Sequence, residues 1–371
     1  MHPDDIKAKR HDNVPLYNDN RMKIGVFGTN VSGGGTMSKA PTSFEPTFEH
    51  NLLIAELAEK YGFEFLIPFG RWKTFGGETE YNGDCMEVYT WAAALAARTS
   101  EIMIFATSHV PTVHPIIAAK QGSTIDHISN GRWGLNVVCG WFVPEMEMFG
   151  ARQLEHDDRY RRAGEWLSVV KKLWQEQHFD HEGEFYRVTD GYLNPKPIQD
   201  PYPVVVNAGV SEAGREFSAR HVDFNFISME SVESAAVTAK DVRDRAHRHG
   251  RDIGIIGNAY CLIRETEAEA KAAYDAIVAQ GDWGAAKNIM RVLGMESDSF
   301  DAQIEQFAKR FVVGWGAYPL VGTPEQAVER LLDLERAGVE GMCLMWNDYA
   351  EEIPYFGERV LPLMREAGLR V

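Results

Sequence analysis

A parallel (β/α)8 barrel, also called a TIM barrel, is the fold class that the sequence predicts. From Lys23 onward, short apolar runs rich in β-branched and aromatic residues alternate with longer amphipathic stretches. Eight such runs occur, and no G-x-G-x-x-G motif opens the first helix, as an open dinucleotide-binding sheet would require. We therefore expect one barrel domain over residues 22–371, preceded by an N-terminal extension over residues 1–21.

The first four βα units precede Phe179. Their strands are expected at KIGVFG, FEFLIP, EIMIFAT and RWGLNVV, since each run is short, apolar and bounded by polar or turn-forming residues. The helices that follow them are expected at residues 46–61, 86–98, 115–129 and 157–176, where apolar residues recur at helical spacing.

The second half continues the same rhythm after a predicted hairpin, FDHEGEFYRV. Strands are expected at PVVVNAG, VDFNFIS, IGIIGNAYCLI and GMCLMW, with helices at residues 211–220, 232–249 and 353–366. Thr323, Pro324 and Gln326 predict the start of a further helix through a capping box, and Gly338 predicts its end. Residues 282–320 lack a clean strand, so we expect a partly helical insertion that covers the C-terminal face of the barrel.

Composition excludes several classes of function. The 54 acidic residues outnumber the 38 basic ones, and the net charge of −16 argues against a nucleic-acid partner. The four cysteines are widely spaced without a C-x-x-C motif, which fits a reducing cytoplasm. The N-terminal segment is polar, and no window of ~18 apolar residues occurs, so neither a secretion signal nor a membrane span is expected.

Metal-dependent chemistry is not expected either. The chain has no H-E-x-x-H motif, and the first strand ends without the His-x-His pair that many metal-dependent barrel hydrolases carry. His109 and His114 follow the third strand, where a histidine can face a substrate but is more often a bystander in a loop.

Polar and small residues follow the apolar runs at the strand ends, where the active site of a (β/α)8 barrel lies. Because the parallel strands all end at one face, we expect these residues to converge there. They are Gly70 and Arg71 after the second strand, Thr107 at the end of the third, and Asn136, Trp141 and Glu145 on or after the fourth.

The fifth strand ends in Asn207-Ala208-Gly209-Val210-Ser211 and runs directly into a helix. Small residues before a helix start let an anion approach the free N–H groups there, so Gly209 and Ser211 can form a phosphate site. Arg159 and Tyr160 can clamp the same phosphate. The alternative is an ordinary turn with Ser211 as helix cap, and an exposed helix face carrying Arg159 and Tyr160.

Four segments carry a resemblance to a known family. They are STIDHISNGRWGLNVVCGW, EHDDRYRRAGEWLSVVKKLW, LNPKPIQ and VLPLMRE. The chain resembles the bacterial luciferase-like (group C) flavin monooxygenases, most closely the branch with the pyrimidine monooxygenase of the Rut pathway and the dimethyl sulfone monooxygenases. The resemblance runs from Met22 to about Glu366.

This resemblance implies a barrel that binds reduced FMN, supplied by a separate NAD(P)H-dependent reductase, and activates O2 as a flavin peroxide at C4a or N5. The matching positions place Asn136 and Glu145 at the flavin ring, Arg159 and Tyr160 at the phosphate, and Ser211 at the phosphate or ribityl chain. Gly70 and Arg71 occupy the flavin-contacting position after the second strand, but they depart from the Ile-Lys pair of the pyrimidine branch, which leaves a backbone contact.

The same resemblance implies an O2 pocket built from Ile67, Thr107, Asn136 and Trp141. Its apolar walls would exclude water, while the hydroxyl and amide groups would stabilise developing negative charge. The implied enzyme is cytoplasmic and forms a homo-oligomer, a dimer or a tetramer.

The substrate signals conflict. NVSGG, in a loop over residues 31–37 that we expect to be a flexible lid, resembles the sulfone branch, whereas FGGETEY and SKAPTSFEPTFE resemble the pyrimidine branch. Phe69, Trp72 and Phe75 suit stacking on a flat ring, or else pack the barrel rim. We expect a small electron-poor heterocycle, with a sulfone or alkanesulfonate as the second possibility. The same fold could also carry an F420-dependent dehydrogenase or a non-catalytic flavin-binding protein.

Overall fold

The computed structural model describes residues 3–294 and 302–371. Its strands are β1 (Lys23–Phe27), β2 (Phe65–Ile67), β3 (Met103–His109), β4 (Trp133–Val138), β5 (Phe179–Glu182), β6 (Arg187–Gly191), β7 (Val204–Asn207), β8 (Phe224–Ile227), β9 (Gly254–Ile263), β10 (Tyr318–Gly322) and β11 (Gly341–Met345). All pairs in the main sheet are parallel, and pairing of β8 with β9 and of β11 with β1 closes it. The predicted (β/α)8 barrel is confirmed, and β5 and β6 form the predicted hairpin.

Helices surround the barrel in the order expected of βα units. They are α1 (Pro3–Arg10), α2 (Phe48–Lys60), α3 (Val88–Ala96), α4 (Pro115–Ile128), α5 (Val143–Met148), α6 (His156–Gln175), α7 (Glu212–His221), α8 (Val232–Arg248), α9 (Glu267–Ala279), α10 (Trp283–Val292), α11 (Ala302–Gly314), α12 (Pro324–Arg336), α13 (Tyr349–Arg359) and α14 (Leu361–Glu366). The capping box that predicts the start of α12 is present: Thr323 accepts from the Gln326 N–H, and the Gln326 side chain accepts from the Thr323 N–H.

Strand periodicity divides the apolar residues into two cores. Alternate strand residues such as Phe65, Met103 and Phe105 fill the barrel interior, and their neighbours pack outward against the helices. Val14 and Leu16 of the N-terminal segment join the interior core. Arg10 is buried beside Asp223 at 3.2 Å, so this segment is anchored to the barrel by apolar burial and by an ion pair.

Three details differ from the prediction. The expected helix over residues 353–366 is two helices, because Pro362 lacks an N–H for the helical ladder and the chain breaks at Val360. The first of these helices begins earlier, where the Asp348 side chain caps it. The helices α1, α5 and α9 were not predicted.

The predicted insertion over residues 282–320 contains α10 and α11, but it also contains the beginning of a strand, β10, which was not expected. The strand β9 extends beyond its pairing with β8, which ends at Gly257, and on the same edge its second half pairs with β10 from Tyr318↔Ala259 to Gly322↔Ile263. The sequence did not predict this strand because it contains Pro319, and proline is rare in strands other than edge strands. Residues 295–301 of the predicted insertion lie outside the described residues.

The glycine-rich loop over residues 31–37 is packed rather than free, so the prediction of a flexible lid is wrong. The Tyr81 hydroxyl donates to the Gly34 carbonyl at 2.6 Å, and the Thr36 hydroxyl donates to the Val313 carbonyl at 3.1 Å. A Cβ on Gly35 would lie 2.4 Å from the sulfur of Met345. The glycines thus permit close packing here.

In the part of the chain that the structure describes, none of the helices combines the length and the apolar character needed to cross a membrane.

Candidate active site at the carboxyl ends of the strands

Thr107 and Asn136 lie side by side on neighbouring strands, because β3 and β4 pair in the register Thr107↔Asn136. The Asn136 amide donates to the Thr107 hydroxyl at 3.1 Å, and that hydroxyl donates to the Pro68 carbonyl at 2.7 Å. This chain of donors fixes both rotamers. The Asn136 Oδ1 atom is buried and accepts no hydrogen bond from any described residue. Because a buried acceptor without a hydrogen bond costs free energy, this atom is available to accept a hydrogen bond from a ligand.

Ile67 and Trp141 complete the predicted O2 pocket. The strand with Ile67 is next to the strand with Thr107, and Trp141 follows the strand with Asn136. Ile67 ends β2 and belongs to the barrel interior. Trp141 stacks on Phe75, with ring centroids 6.0 Å apart and an interplanar angle of 19°. It follows Gly140, where φ is +82° and a Cβ would lie 2.6 Å from Pro111, so only glycine suits this turn.

Arg71 and Glu145 form a buried ion pair, with Nη1 and Oε1 3.3 Å apart. The same Glu145 oxygen accepts from the Trp72 N–H at 2.8 Å and the Lys73 N–H at 3.3 Å, which ties α5 to the loop after β2. Burial lowers the pKa of Arg71, and the nearby carboxylate opposes that shift. Arg71 Nε and Nη1 and Glu145 Oε2 have no hydrogen-bond partner among the described residues.

The Arg71 guanidinium also lies against three aromatic rings. Its central carbon is 4.8 Å from the Phe75 ring centroid, 5.1 Å from that of Trp141 and 5.4 Å from that of Phe142. Such contacts hold a cation in place without hydrogen bonds. The sequence indicated a backbone contact at this position, and the structure shows in addition a side chain held between Glu145 and these aromatic rings.

Gly70 has no room for a side chain. A Cβ there would lie 2.7 Å from the His109 ring and 3.0 Å from the Thr107 methyl group. Gly70, Arg71, Thr107 and His109 help to line a small cavity of about 20 Å³. The close packing explains the glycine and places His109 inside the site.

The sequence left open whether His109 faces a substrate or is a bystander in a loop, and the structure shows that it lies in a strand rather than in a loop. The strand β3 extends to His109 rather than ending at Thr107, so period-two alternation puts both residues on the side of Met103 and Phe105, the barrel interior. Burial lowers the pKa of His109 to about 3, and the Arg71 charge adds to this shift. The ring is therefore neutral at physiological pH.

We predict that His109 makes folding stability depend on pH. In the unfolded chain the imidazole becomes protonated below the ordinary histidine pKa of 6.5, whereas in the folded chain it stays neutral down to about pH 3. The free energy of unfolding therefore falls as the pH falls from 6.5 towards 3. His109→Gln lacks this titrating group, so between pH 7 and pH 5 its free energy of unfolding should fall by about 2 kcal/mol less than that of the wild type. Urea denaturation at the two pH values measures this difference, and parallel pH dependence in the two proteins would contradict the prediction.

The turn before α7 brings Gly209, Ser211 and Tyr160 together. Ser211 caps α7 and accepts from the Gly214 N–H at 3.1 Å. A Cβ on Gly209 would lie 2.7 Å from Gly214, and a Cβ on Gly214 would lie 2.7 Å from the Tyr160 hydroxyl. Burial raises the pKa of Tyr160, so the phenol stays a hydrogen-bond donor. A helix start, missing side chains and a hydroxyl are the features of a phosphate site.

Arg159 reaches a different element. Its Nη1 donates to the Gly140 carbonyl at 2.7 Å, while its Nε is buried without a partner in the described chain. The residue therefore links α6 to the loop that carries Trp141, and it keeps one donor for a ligand.

An asparagine network that was not predicted holds the turn before α7 in place. Asn207 donates to the Val137 carbonyl at 2.7 Å, and its side-chain oxygen accepts from the Gly209 N–H and from the Ser218 hydroxyl. Asn225 donates to the Asn207 carbonyl at 2.9 Å. The signal was available, since an asparagine ends the apolar run VVVN and interrupts DFNFI.

The aromatic residues after β2 do not form one stacking surface. Phe69 and Phe75 are buried, whereas Trp72 is 44% exposed and contacts Phe149 edge-on at 5.1 Å. Trp72 therefore lies apart from the other two rings, and the packing alternative applies to Phe75, whose ring contacts Arg71.

Among the described residues, no three His, Cys, Asp or Glu side chains lie close enough together to hold a metal ion.

Comparison with known proteins gives a consistent result. The family model described as luciferase-like monooxygenase matches residues 22–341. An FMNH2-dependent dimethylsulfone monooxygenase of Pseudomonas putida is 33% identical over 352 residues, which cover 93% of this chain and 96% of that protein. A pyrimidine monooxygenase of Serratia proteamaculans is 35% identical over 354 residues, which cover 93% of this chain and 96% of that protein.

Solved structures agree on the fold. The crystal structure of a long-chain alkane monooxygenase superposes with a TM-score of 0.84 at 22% identity, covering 95% of this chain and 93% of that one.

Proposed function

The chain belongs to the luciferase-like monooxygenase family, and we propose that it is an enzyme that uses reduced FMN and O2 to oxygenate a small molecule. One oxygen atom of O2 enters the substrate and the other leaves as water, while FMNH2 is oxidised to FMN. Two of its relatives are named for dimethylsulfone and for pyrimidines, and both share the whole barrel with this chain.

The observation that carries this proposal is the buried Thr107–Asn136 pair with its open amide oxygen. The Thr107 hydroxyl already donates to Pro68, so the donor left at the pair is the second N–H of the Asn136 amide, and a donor fixed in a site of low water content stabilises negative charge that develops on an oxygen species. The open amide oxygen can accept from an N–H or O–H of a bound molecule. Ile67 and Trp141 supply apolar walls on the elements beside the pair. Reduced FMN bound there would supply two electrons to O2.

Two parts of the structure support the binding of one FMN molecule, one at its phosphate and one at its flavin ring. Gly209, Ser211 and Tyr160 form a turn without obstructing side chains, which suits the phosphate, and Arg159 has a buried donor to spare. In the other part, residues at the ends of β2 and β4 and in α5 would face the flavin ring. The residues that we assign to the cofactor are Gly70, Arg71, Asn136, Glu145, Arg159, Tyr160, Gly209 and Ser211.

We propose further that a separate NAD(P)H-dependent reductase supplies the reduced flavin, that the enzyme acts in the cytoplasm, and that it assembles as a homo-oligomer. A small electron-poor heterocycle is the substrate class that we favour over an alkanesulfonate. Arg71, a cation of the candidate site, is already paired with Glu145, so its charge is not free for a sulfonate.

An F420-dependent dehydrogenase is the alternative within the fold, and flavin binding separates the two. Equilibrium dialysis of the purified protein against FMN and against F420 should show tight binding of FMN alone. Preferential binding of F420 would replace the monooxygenase proposal with the dehydrogenase.

Arg159→Ala should weaken binding of FMN much more than binding of riboflavin, which lacks the phosphate. A charge-assisted hydrogen bond contributes about 1.5–3 kcal/mol, so the dissociation constant for FMN should rise at least about tenfold. Fluorescence titration with both flavins measures the effect, and Arg161→Ala, an exposed arginine on the same helix, is the control. Equal weakening of both flavins would show that Arg159 does not contact the phosphate.

A further inference from the structure

Trp315 has an unusual backbone conformation for so large a residue. It follows the last residue of α11 with φ at +56°, in the left-handed region that glycine normally occupies at helix ends. Gly314 and Gly316 flank it, and Gly316 has φ at +72°. A bulky side chain kept in this conformation between two glycines points to a role for the side chain itself.

The indole ring contacts the loops that carry the candidate active site. Its centroid lies 5.4 Å from that of Phe69 and 5.3 Å from that of Phe75, both after β2, and 6.5 Å from that of Trp141, after β4. Phe311 of α11 lies 6.3 Å away on the other side. Trp315 therefore joins the predicted insertion to the two loops that border the Thr107–Asn136 pair.

Despite these neighbours Trp315 is only half-buried. Phe69, Phe75 and Phe311 are buried around it, whereas Trp141 is partly buried like Trp315, so these two indoles carry the apolar surface that the cluster leaves open. Trp72 also exposes part of its ring, but it contacts Phe149 and not this cluster.

We propose that Trp315 is a specificity-determining residue whose exposed indole face packs against a flat ring of the substrate. The proposal rests on the proposed function and names the wall of that site that selects planar over non-planar molecules. Offset or edge-on contact between rings favours a planar heterocycle over a compact tetrahedral sulfone of similar size.

The test is a spectroscopic titration of the FMN-loaded protein with two probes, uracil and dimethyl sulfone. Trp315→Gly suits the left-handed backbone, so it should fold, and it removes the ring. We expect the dissociation constant for uracil to rise about three- to tenfold, while that for dimethyl sulfone changes less than about twofold. Trp315→Phe should restore most of the uracil affinity, and Trp72→Ala should match wild type.

Equal weakening for both probes, or no weakening for either, would overturn the role of Trp315. A wild-type flavin spectrum that responds to neither probe would overturn it too, while leaving FMN binding and the proposed function intact. Failure of the wild type to bind FMN would instead defeat the proposed function, and the Trp315 proposal with it.

Discussion

Asn136→Ala is expected to leave FMN bound and to abolish most oxygenation. Asn136 is one of eight residues that we assign to the cofactor, so loss of its amide should leave most of the flavin binding intact. The amide is also the fixed hydrogen-bonding group beside Thr107 in a buried site, so oxygenation should depend on it much more strongly. Loss of one such preorganised group costs about a hundredfold in rate in other enzymes. With reductase and NADH present, product measured by mass spectrometry should fall by about that factor, while reduced flavin still reacts with O2 and releases hydrogen peroxide.

Thr107 provides the matched pair of variants. Thr107→Ala removes the hydroxyl that accepts from Asn136 and should reproduce the loss, whereas Thr107→Ser keeps the hydroxyl and should retain most of the activity. Unchanged product yield in Asn136→Ala and Thr107→Ala would remove both residues from the oxygen site.

Glu145→Gln is expected to destabilise the fold by about 3 kcal/mol, because it leaves the buried Arg71 charge without a partner. Glutamine can still accept from the Trp72 N–H, so the variant isolates the charge from the loop contact. Urea denaturation gives the free energy of unfolding. Glu147→Gln, an exposed position on the same helix, should change it by less than about 0.5 kcal/mol.

A double variant, Arg71→Met with Glu145→Gln, should recover most of the lost stability, since replacement of a whole buried ion pair by apolar packing is often close to neutral. Three aromatic rings already surround the guanidinium and would surround the methionine. If the double variant is as unstable as Glu145→Gln alone, an unpaired charge is not the cause of the destabilisation.

Strand and helix positions could be predicted because they depend on local patterns. The eight barrel strands are short apolar runs between polar turns, and the α12 capping box is a contiguous signal from Thr323 to Gln326. Prediction failed where a longer-range contact decides the structure. The strand β10 exists because β9 extends beyond β8 and offers β10 the unpaired backbone on that edge, and no pattern near Pro319 shows that.

The candidate site shows the same division. Residues at strand ends converge as expected, and Thr107 and Asn136 share a hydrogen bond because of strand register. The pairing of Arg71 with Glu145 joins residues 74 positions apart through a loop and a short helix. Trp315 comes from the end of the predicted insertion, and its left-handed backbone has no signal in the sequence beyond two flanking glycines.

Incorporation of oxygen from 18O2 tests the central claim most directly. Purified protein, FMN, a flavin reductase, NADH and 18O2 are incubated with uracil-like rings, haloaromatics, sulfones and sulfonates, and the products are read by mass. We predict one labelled oxygen atom per product molecule, with a planar heterocycle as the preferred substrate and no label when FMN is omitted. No label in any substrate, together with preferential binding of F420, would contradict the claim that this protein is an FMNH2-dependent monooxygenase.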